Sequence, residues 1–121
     1  MINGYVEQFL DTGWYSESTL FYNGYIYWHE AQTNDKETVF FVDRWKAENE
    51  ENLYFHSLLE KNGTLIWERV LEIHGTDLDQ IKKQFLEAPI YEGKSFWIVE
   101  KELAWLDESN PIIVNDNNNF T

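Results

Sequence analysis

The chain has 121 residues, no cysteine and a formal net charge of -13, and 17% of its residues are aromatic. The aromatic content predicts a folded domain, because aromatic side chains bury large apolar areas. The negative charge argues against direct nucleic-acid binding, which needs lysine and arginine at the phosphates, and against anionic membranes. The absence of cysteine excludes disulfides and thiol catalysis and suits a reducing compartment.

The N-terminal residues from Met1 to Glu7 carry no basic cluster and no sustained apolar run, so we expect no signal peptide. No apolar run approaches the roughly 20 residues that a membrane-spanning helix needs. We therefore expect a cytoplasmic protein without membrane contact. The length fits one domain. We assign residues 1–108 to a single α+β domain and residues 109–121 to an irregular C-terminal tail.

Residues 3–10 predict a short helix, because their apolar side chains share one face at helical spacing. The strongest local signal follows at Asn23-Gly24, which lies between two aromatic and β-branched runs. Both positions of a tight hairpin turn need a positive φ, which asparagine and glycine tolerate. Strands are predicted at 18–22, 25–32, 38–47, 53–59 and 65–73, with an acidic loop at 47–52. Their short connections favour an antiparallel meander of about five strands over roughly 18–73.

The hydrophobic period changes after this meander. Thr76 is expected to cap a helix, with Asp77 and Asp79 in a first turn where the helix dipole favours negative charge. Its apolar face consists of Leu78, Ile81, Phe85 and Leu86. Pro89 ends it. Residues 95–106 fit either a helix or a strand, and their length favours a helix. The predicted fold class is therefore α+β, a meander followed by one or two helices that pack on one face.

Aromatic side chains fall on both faces of the predicted second strand. Alternation places Tyr25, Tyr27 and His29 on one face and Ile26, Trp28 and Glu30 on the other. Either one face is exposed as a binding surface, or both faces are covered. The third strand has the same character. There Asp43 lies beside aromatic residues, and we expect it to be solvated at an edge or end of the strand, with Arg44 and Lys46 as surface charges.

No motif specifies a chemistry. The chain has no nucleophile elbow, no glycine-rich phosphate loop and no HExxH pair. His29, His56 and His74 lie on separate predicted strands, and half-buried histidines are the ordinary outcome. Glu68 and Glu72 are an even number of residues apart, so alternation places both on one face of the predicted strand, as a glycosidase needs for its carboxylate pair. A polar strand face explains them equally well. We predict no catalytic residue, no metal and no cofactor.

The acidity and the aromatic content together favour a non-catalytic protein that neutralises a basic protein partner. Negative charge steers association with such a target, and exposed aromatic side chains supply desolvated contacts. This composition is typical of immunity proteins that block toxins and of inhibitors carried by phages or mobile elements. The predicted partner-binding residues are Tyr27, Trp28, Trp45, Glu48, Glu50 and Glu51.

Two alternatives stay open. An aromatic sheet face also suits a small-ligand or carbohydrate-binding module, which a pocket lined by Tyr25, Tyr27 and Trp28 would favour. Otherwise the chain is an acidic soluble domain whose charge serves solubility alone. An exposed aromatic face or an unpaired edge strand would also suit a homodimer.

Overall fold

A computed structural model describes residues 1–46 and 68–106. The chain begins with helix α1 (Val6–Asp11) and a short 3₁₀ helix (Gly13–Tyr15). Four strands follow: β1 (Ser16–Tyr22), β2 (Tyr25–Thr33), β3 (Thr38–Lys46) and β4 (Glu68–Gly75). After them come helix α2 (Leu78–Glu87), helix α3 (Phe96–Val99), a second 3₁₀ helix (Glu100–Glu102) and strand β5 (Ala104–Leu106). The predicted strand at 53–59, the loop at 47–52 and the tail at 109–121 lie outside the described residues.

The described strands form one antiparallel sheet in the order β4-β3-β2-β1-β5. The helices pack beside this sheet, so the predicted α+β class is confirmed. Strands β1 to β4 are neighbours in chain order, as in a meander. Strand β5 differs, because it returns from the far end of the described chain to pair with β1.

The turn between β1 and β2 has the backbone that its sequence predicts. Asn23 has a φ of 50° and Gly24 a φ of 86°. A Cβ on Gly24 would meet no atom within 4 Å, so the backbone angle rather than space requires glycine there. The turn brings Tyr22 opposite Tyr25 and sets the register of the hairpin as far as the pair of Ser18 and His29, beyond which a β-bulge shifts it.

One face of the sheet forms the core with the helices. Its buried side chains include Leu20, Tyr22, Tyr27, Phe40, Val42 and Ile73, which pack with Phe9, Ile81, Phe85 and Phe96. The ring of Phe85 lies 5.0 Å from that of Phe40 and 6.0 Å from those of Trp14 and Phe96. Much of the aromatic content is therefore used to join α2 and α3 to the sheet.

The opposite face of the sheet is buried as well. It carries Phe21, Ile26, Phe41, Trp45 and Leu106, each at most 9% exposed. Strands β2 and β3 are thus covered on both sides along most of their length. Of the two expectations for the aromatic faces, the structure supports the one in which both are covered.

The N-terminal residues extend the sheet beside β5. Ile2 donates its backbone N–H to Leu103 O at 2.8 Å and accepts from the backbone N–H of Trp105 at 2.9 Å. The Trp105 ring packs against glycine, since a Cβ at Gly4 or Gly13 would come within 2.6 Å or 2.7 Å of it. The short strand β5 is therefore held from both sides, by β1 and by the N-terminus.

Helix α2 has the predicted apolar face but a different cap. Asp77 is the N-cap, and its carboxylate accepts a hydrogen bond from the Asp79 backbone N–H at 2.9 Å, so the prediction of Thr76 is corrected. A carboxylate at this position also interacts favourably with the helix dipole. Ile81 and Phe85 are buried as expected, whereas Leu78 is 43% exposed.

The segment 95–106 is neither one helix nor one strand. Helix α3 has only four residues, and the chain then turns through the second 3₁₀ helix into β5. The prediction of a helix over the whole segment is wrong, because pairing with β1 extends its last residues. Within residues 1–46 and 68–106, no helix has the length and apolar character needed to cross a bilayer.

We expect Asp77→Ala to lower the free energy of unfolding by about 1 kcal/mol, because the first turn of α2 loses its side-chain acceptor. Urea denaturation at neutral pH measures the change. Thr76→Ala is the matched control and leaves stability nearly unchanged. An equal loss in both variants would show that the Asp77 carboxylate does not cap the helix.

Candidate functional site

Three of the predicted contact residues lie in the described sheet, on different faces. Tyr27 is on the helix side and 0% exposed, while Trp45 is on the opposite face and 2% exposed. Trp28 shares that opposite face, is half-buried, and donates its indole N–H to Glu30 Oε1 at 3.0 Å. Glu48, Glu50 and Glu51 lie outside the described residues. Tyr27 and Trp45 are packing residues, and a contact region built on the three glutamates stays a prediction.

The described histidines lie on different faces of the sheet. His29 is buried on the helix side of β2. His74 is on the opposite face of β4 and its side chain is 54% exposed. His56 lies outside the described residues. Among those that the structure describes, no group of three or more His, Cys, Asp or Glu side chains is placed to hold a metal.

A β-bulge separates the two glutamates of the predicted carboxylate pair. Val42 lies opposite Leu71 and Asp43 opposite Arg69, so Val70 is the extra residue of β4. A one-residue shift reverses the facing of every later side chain. Glu68 therefore lies on the same face as Arg44, and Glu72 lies on the other face. The same-face interpretation is wrong.

Arg69 forms a tight ion pair with a buried carboxylate. Its Nε and Nη2 donate to the two oxygens of Asp43 at 2.8 Å and 3.2 Å, and its Nη1 donates to Glu72 at 2.7 Å. The guanidinium lies 4.2 Å from the centre of the Phe41 ring. Hydrogen bonding to Asp43 raises the pKa of Arg69 further above its usual range. Asp43 is 6% exposed, so the expectation that it is solvated is corrected.

The charge network continues from Glu72 along the same face. His74 bonds to Glu72 through Nε2 at 2.9 Å and to Glu37 through Nδ1 at 2.7 Å. The carboxylates of Glu72 and Glu37 raise the pKa of His74, and the bonds from His74 and Arg69 lower the pKa of Glu72. Because these groups are largely exposed, their pairing contributes little to stability.

A cleft of about 460 Å³ opens between the β3–β4 edge and the loop after α2. We call it the Arg44 cleft, and its lining includes Arg44, Glu68, Val70, Leu71, Ile90 and Glu92. Glu92 belongs to a tight turn in which Tyr91 and Lys94 exchange backbone hydrogen bonds of 3.0 Å and 3.1 Å. The turn has φ values of 55° at Glu92 and 80° at Gly93. Its geometry directs Glu92 toward β3.

The guanidinium of Arg44 is held by three hydrogen-bond acceptors and one aromatic ring. Its Nε donates to Glu68, and its Nη1 donates to the Tyr27 hydroxyl at 3.2 Å and to Glu92 at 3.4 Å. The Tyr25 ring centre lies 4.2 Å from the guanidinium carbon. Burial opposes the charge, but the bonds to Tyr27 and Glu68 outweigh it and raise the pKa of Arg44. The expectation of a plain surface charge is corrected, since 18% of the side chain is exposed.

A second polar cluster lies inside the core. His29 is 0% exposed and its ring lies 5.8 Å from Phe9 and 5.5 Å from Phe85. Its Nδ1 donates to the backbone carbonyl of Ser18 at 3.2 Å, and its Nε2 accepts from the Tyr91 hydroxyl at 2.8 Å. The proton lies on Nδ1 because a carbonyl oxygen can only accept. Burial lowers the pKa of His29 to about 4 and raises the pKa of Tyr91 well above 10. Neither group lines the Arg44 cleft, so this pair stabilises the fold.

Sequence reasoning missed the Arg44 cleft. Glu68 and Glu92 lie 24 and 48 positions along the chain from Arg44, so no local spacing joins them. The one local signal is Glu92-Gly93, a dipeptide that suits a tight turn with positive φ.

We expect the free energy of unfolding to fall as the pH is lowered from 6.5 to about 4, because in this range the unfolded state binds a proton that folded His29 does not. Above pH 6.5 the folded protein keeps the full stability that goes with neutral His29. Across the window from pH 6.5 to about 4, His29 lowers the free energy of unfolding by up to about 3 kcal/mol. His29→Gln removes this part of the pH dependence in urea titrations. His74→Gln is the control and does not flatten it, since the raised pKa of His74 acts in the opposite direction. An unchanged slope in His29→Gln would contradict the assignment.

We expect Tyr91→Phe to destabilise the fold by about 1–3 kcal/mol, because Nε2 of His29 loses its donor inside the core. Thermal and urea unfolding both report this change. Tyr5→Phe removes the same atom from a side chain that is 75% exposed and leaves stability unchanged. If the two variants behave alike, the buried hydrogen bond is not a stabilising one.

Comparison with known proteins assigns no family. No protein-family model matches the chain, and neither the curated proteins nor the solved structures contain a match. The geometry of the described residues is therefore the basis for a functional proposal.

Proposed function

We propose that the chain is a non-catalytic acidic binding protein that neutralises a basic protein partner, in the manner of an immunity protein or of an inhibitor from a phage or mobile element. The observation that carries the proposal is a surplus of surface carboxylates without a positive partner. In the part of the chain that the structure describes, these exposed side chains are in no ion pair: Glu7, Asp11, Glu17, Asp35, Asp79 and Glu87. Their mutual repulsion is relieved when a cationic surface binds.

The arginines of the sheet do not offset this surplus. Arg44 is surrounded by Glu68 and Glu92, and Arg69 by Asp43 and Glu72. Each arginine therefore offsets only one of the two charges of its own cluster and leaves the outer carboxylates uncompensated. A negative outer surface accelerates encounter with a basic partner and disfavours acidic ones.

Large apolar side chains are available at the surface. Trp97 is 56% exposed and Ile98 is 68% exposed, on adjacent positions of α3, and Tyr5 is 75% exposed. Tryptophan and tyrosine are enriched among the residues that dominate binding energies. These side chains, rather than the buried Tyr27 and Trp45, supply the desolvated contacts with the partner.

Two other interpretations have weaker support. The Arg44 cleft has the size of a small-ligand site, but Tyr25, Tyr27 and Trp28 are not among its lining residues. The described groups with strongly shifted pKa values in the core, His29 and Tyr91, are bonded to each other and closed to substrates. A cytoplasmic location is part of the proposal and is supported by the lack of cysteine.

The test is capture of partners on the immobilised chain at low salt, followed by elution with rising salt. We expect a basic protein to be retained, to rebind as a purified protein, and to lose its own activity in the complex. Its log Kd should rise linearly with log salt concentration, since ion pairs form at the interface. An acidic protein of equal net charge is the control bait. Retention of the same proteins on both baits would refute a specific partner.

The predicted contact region is tested with the identified partner. Replacing Glu48, Glu50 and Glu51 with glutamine should weaken binding and reduce its salt dependence. The matched control replaces Glu7, Asp11 and Glu17 with their amides, which changes the net charge equally at other positions. Equal effects would show that overall charge, rather than the acidic segment, determines affinity.

A further inference from the structure

We propose that the Arg44 cleft receives a basic side chain, arginine or lysine, of the protein partner. The inference rests on the proposed function and identifies the place where the partner's charge is bound. It follows from the charges, the remaining hydrogen-bond acceptors and the apolar wall of the cleft.

The cleft has a net negative charge that faces outward. Arg44 is one positive charge against the two carboxylates of Glu68 and Glu92. The side chain of Arg44 is 18% exposed, while those of Glu68 and Glu92 are 58% and 35% exposed. A ligand entering the cleft therefore meets carboxylates before it meets the guanidinium.

Each carboxylate keeps an oxygen for a ligand. Arg44 uses Oε1 of Glu68 and Oε2 of Glu92, and the other oxygen of each makes no hydrogen bond in the part of the chain that the structure describes. An ionised carboxylate has about four lone-pair sites and accepts from two donors at once. The two carboxylates bind different nitrogens of the guanidinium, so each offers its remaining oxygen to a ligand separately. A second cation can pair with either carboxylate.

The walls suit the aliphatic part of a basic side chain. Val70, Leu71, Pro89 and Ile90 line the cleft beside the carboxylates. Arginine and lysine bury their methylene stems on apolar surfaces while their charged ends stay in polar contact. The cleft therefore offers both components of such a side chain a suitable surface.

The turn that carries Glu92 holds this residue in an unfavourable backbone conformation, with a φ of 55°. Turns with positive φ at both central positions favour Asn-Gly and Asp-Gly, and glutamate is disfavoured in this conformation. Strained positions of this kind cluster at functional sites. Here the strained residue is the one that carries a carboxylate into the cleft.

An anionic ligand fits the cleft poorly. The donors Nε and Nη1 of Arg44 are already bonded, and Tyr25 covers one side of the guanidinium. Within the described residues the donors of Nη2 remain, but the charges of Glu68 and Glu92 repel a carboxylate or phosphate that approaches them. A cation adds to the existing cluster without breaking it.

The experiment is an NMR titration of the isotope-labelled chain with N-acetyl-arginine methylamide. We expect shifts of the backbone amides of residues 70, 71, 88 and 90–93. Glu92→Gln should weaken binding by about threefold to tenfold, as expected for loss of a partly exposed charged hydrogen bond. Glu102→Gln, which makes the same charge change at an exposed position outside the cleft, should leave the Kd unchanged. Glu68→Gln provides an independent second variant if Glu92→Gln perturbs the fold.

The neutral analogue N-acetyl-citrulline methylamide and the anion N-acetyl-glutamate distinguish the alternatives. Equal shifts with the citrulline compound, preferential binding of the glutamate compound, or equal Kd values for the Glu92→Gln and Glu102→Gln variants would overturn the inference. Undiminished affinity of Glu92→Gln and Glu68→Gln for a captured basic protein would overturn the cleft assignment and leave the proposed function standing. A positive titration without any captured protein would instead refute the partner and retain a site for a small cation.

Discussion

The pairing of β2 with β3 along nine residue pairs is the constraint on which the rest of the structure depends. Strand β2 has neighbours on both edges and is covered on both faces, so its polar side chains must find partners within the protein. His29 does so through Ser18 and Tyr91. The same register sets Arg44 opposite Tyr27, which places the guanidinium at the Arg44 cleft. A shift by one residue would exchange the two faces and remove the polar contacts of both clusters.

The features that could be predicted from the sequence are those that local chemistry determines. Asn23-Gly24 set the hairpin because both residues tolerate a positive φ, and Pro89 ended α2 because proline cannot continue a helix. The bulge at Val70 and the strand β5 depend on distant partners, and neither leaves a local pattern. The Arg44 cleft is of the second kind. Its carboxylates meet only after β4 and the turn after α2 have packed beside β3, so no spacing in the sequence predicts the cleft.

Arginine has a structural function in this acidic chain that lysine would perform less well. A guanidinium donates in several directions in one plane and stacks on an aromatic ring at the same time. Arg44 and Arg69 each combine two carboxylates with an aromatic face, 4.2 Å away in both cases. The two clusters lie on opposite faces of β3 and β4. In each of them, pairing with arginine allows two acidic side chains to pack against the sheet. Each arginine offsets one of the two carboxylate charges in its cluster, so both clusters keep a net negative charge.

Strand β5 joins the two ends of the described chain, since it pairs with β1 and bonds to Ile2. During synthesis, β1 and β2 leave the ribosome and can form their hairpin long before residues 104–106 are made. Until then β1 presents an open edge that a strand of another molecule can occupy. The nascent chain in this interval already carries many acidic residues and few basic ones. Its negative charge repels other copies of the chain and therefore opposes their association until β5 closes this edge.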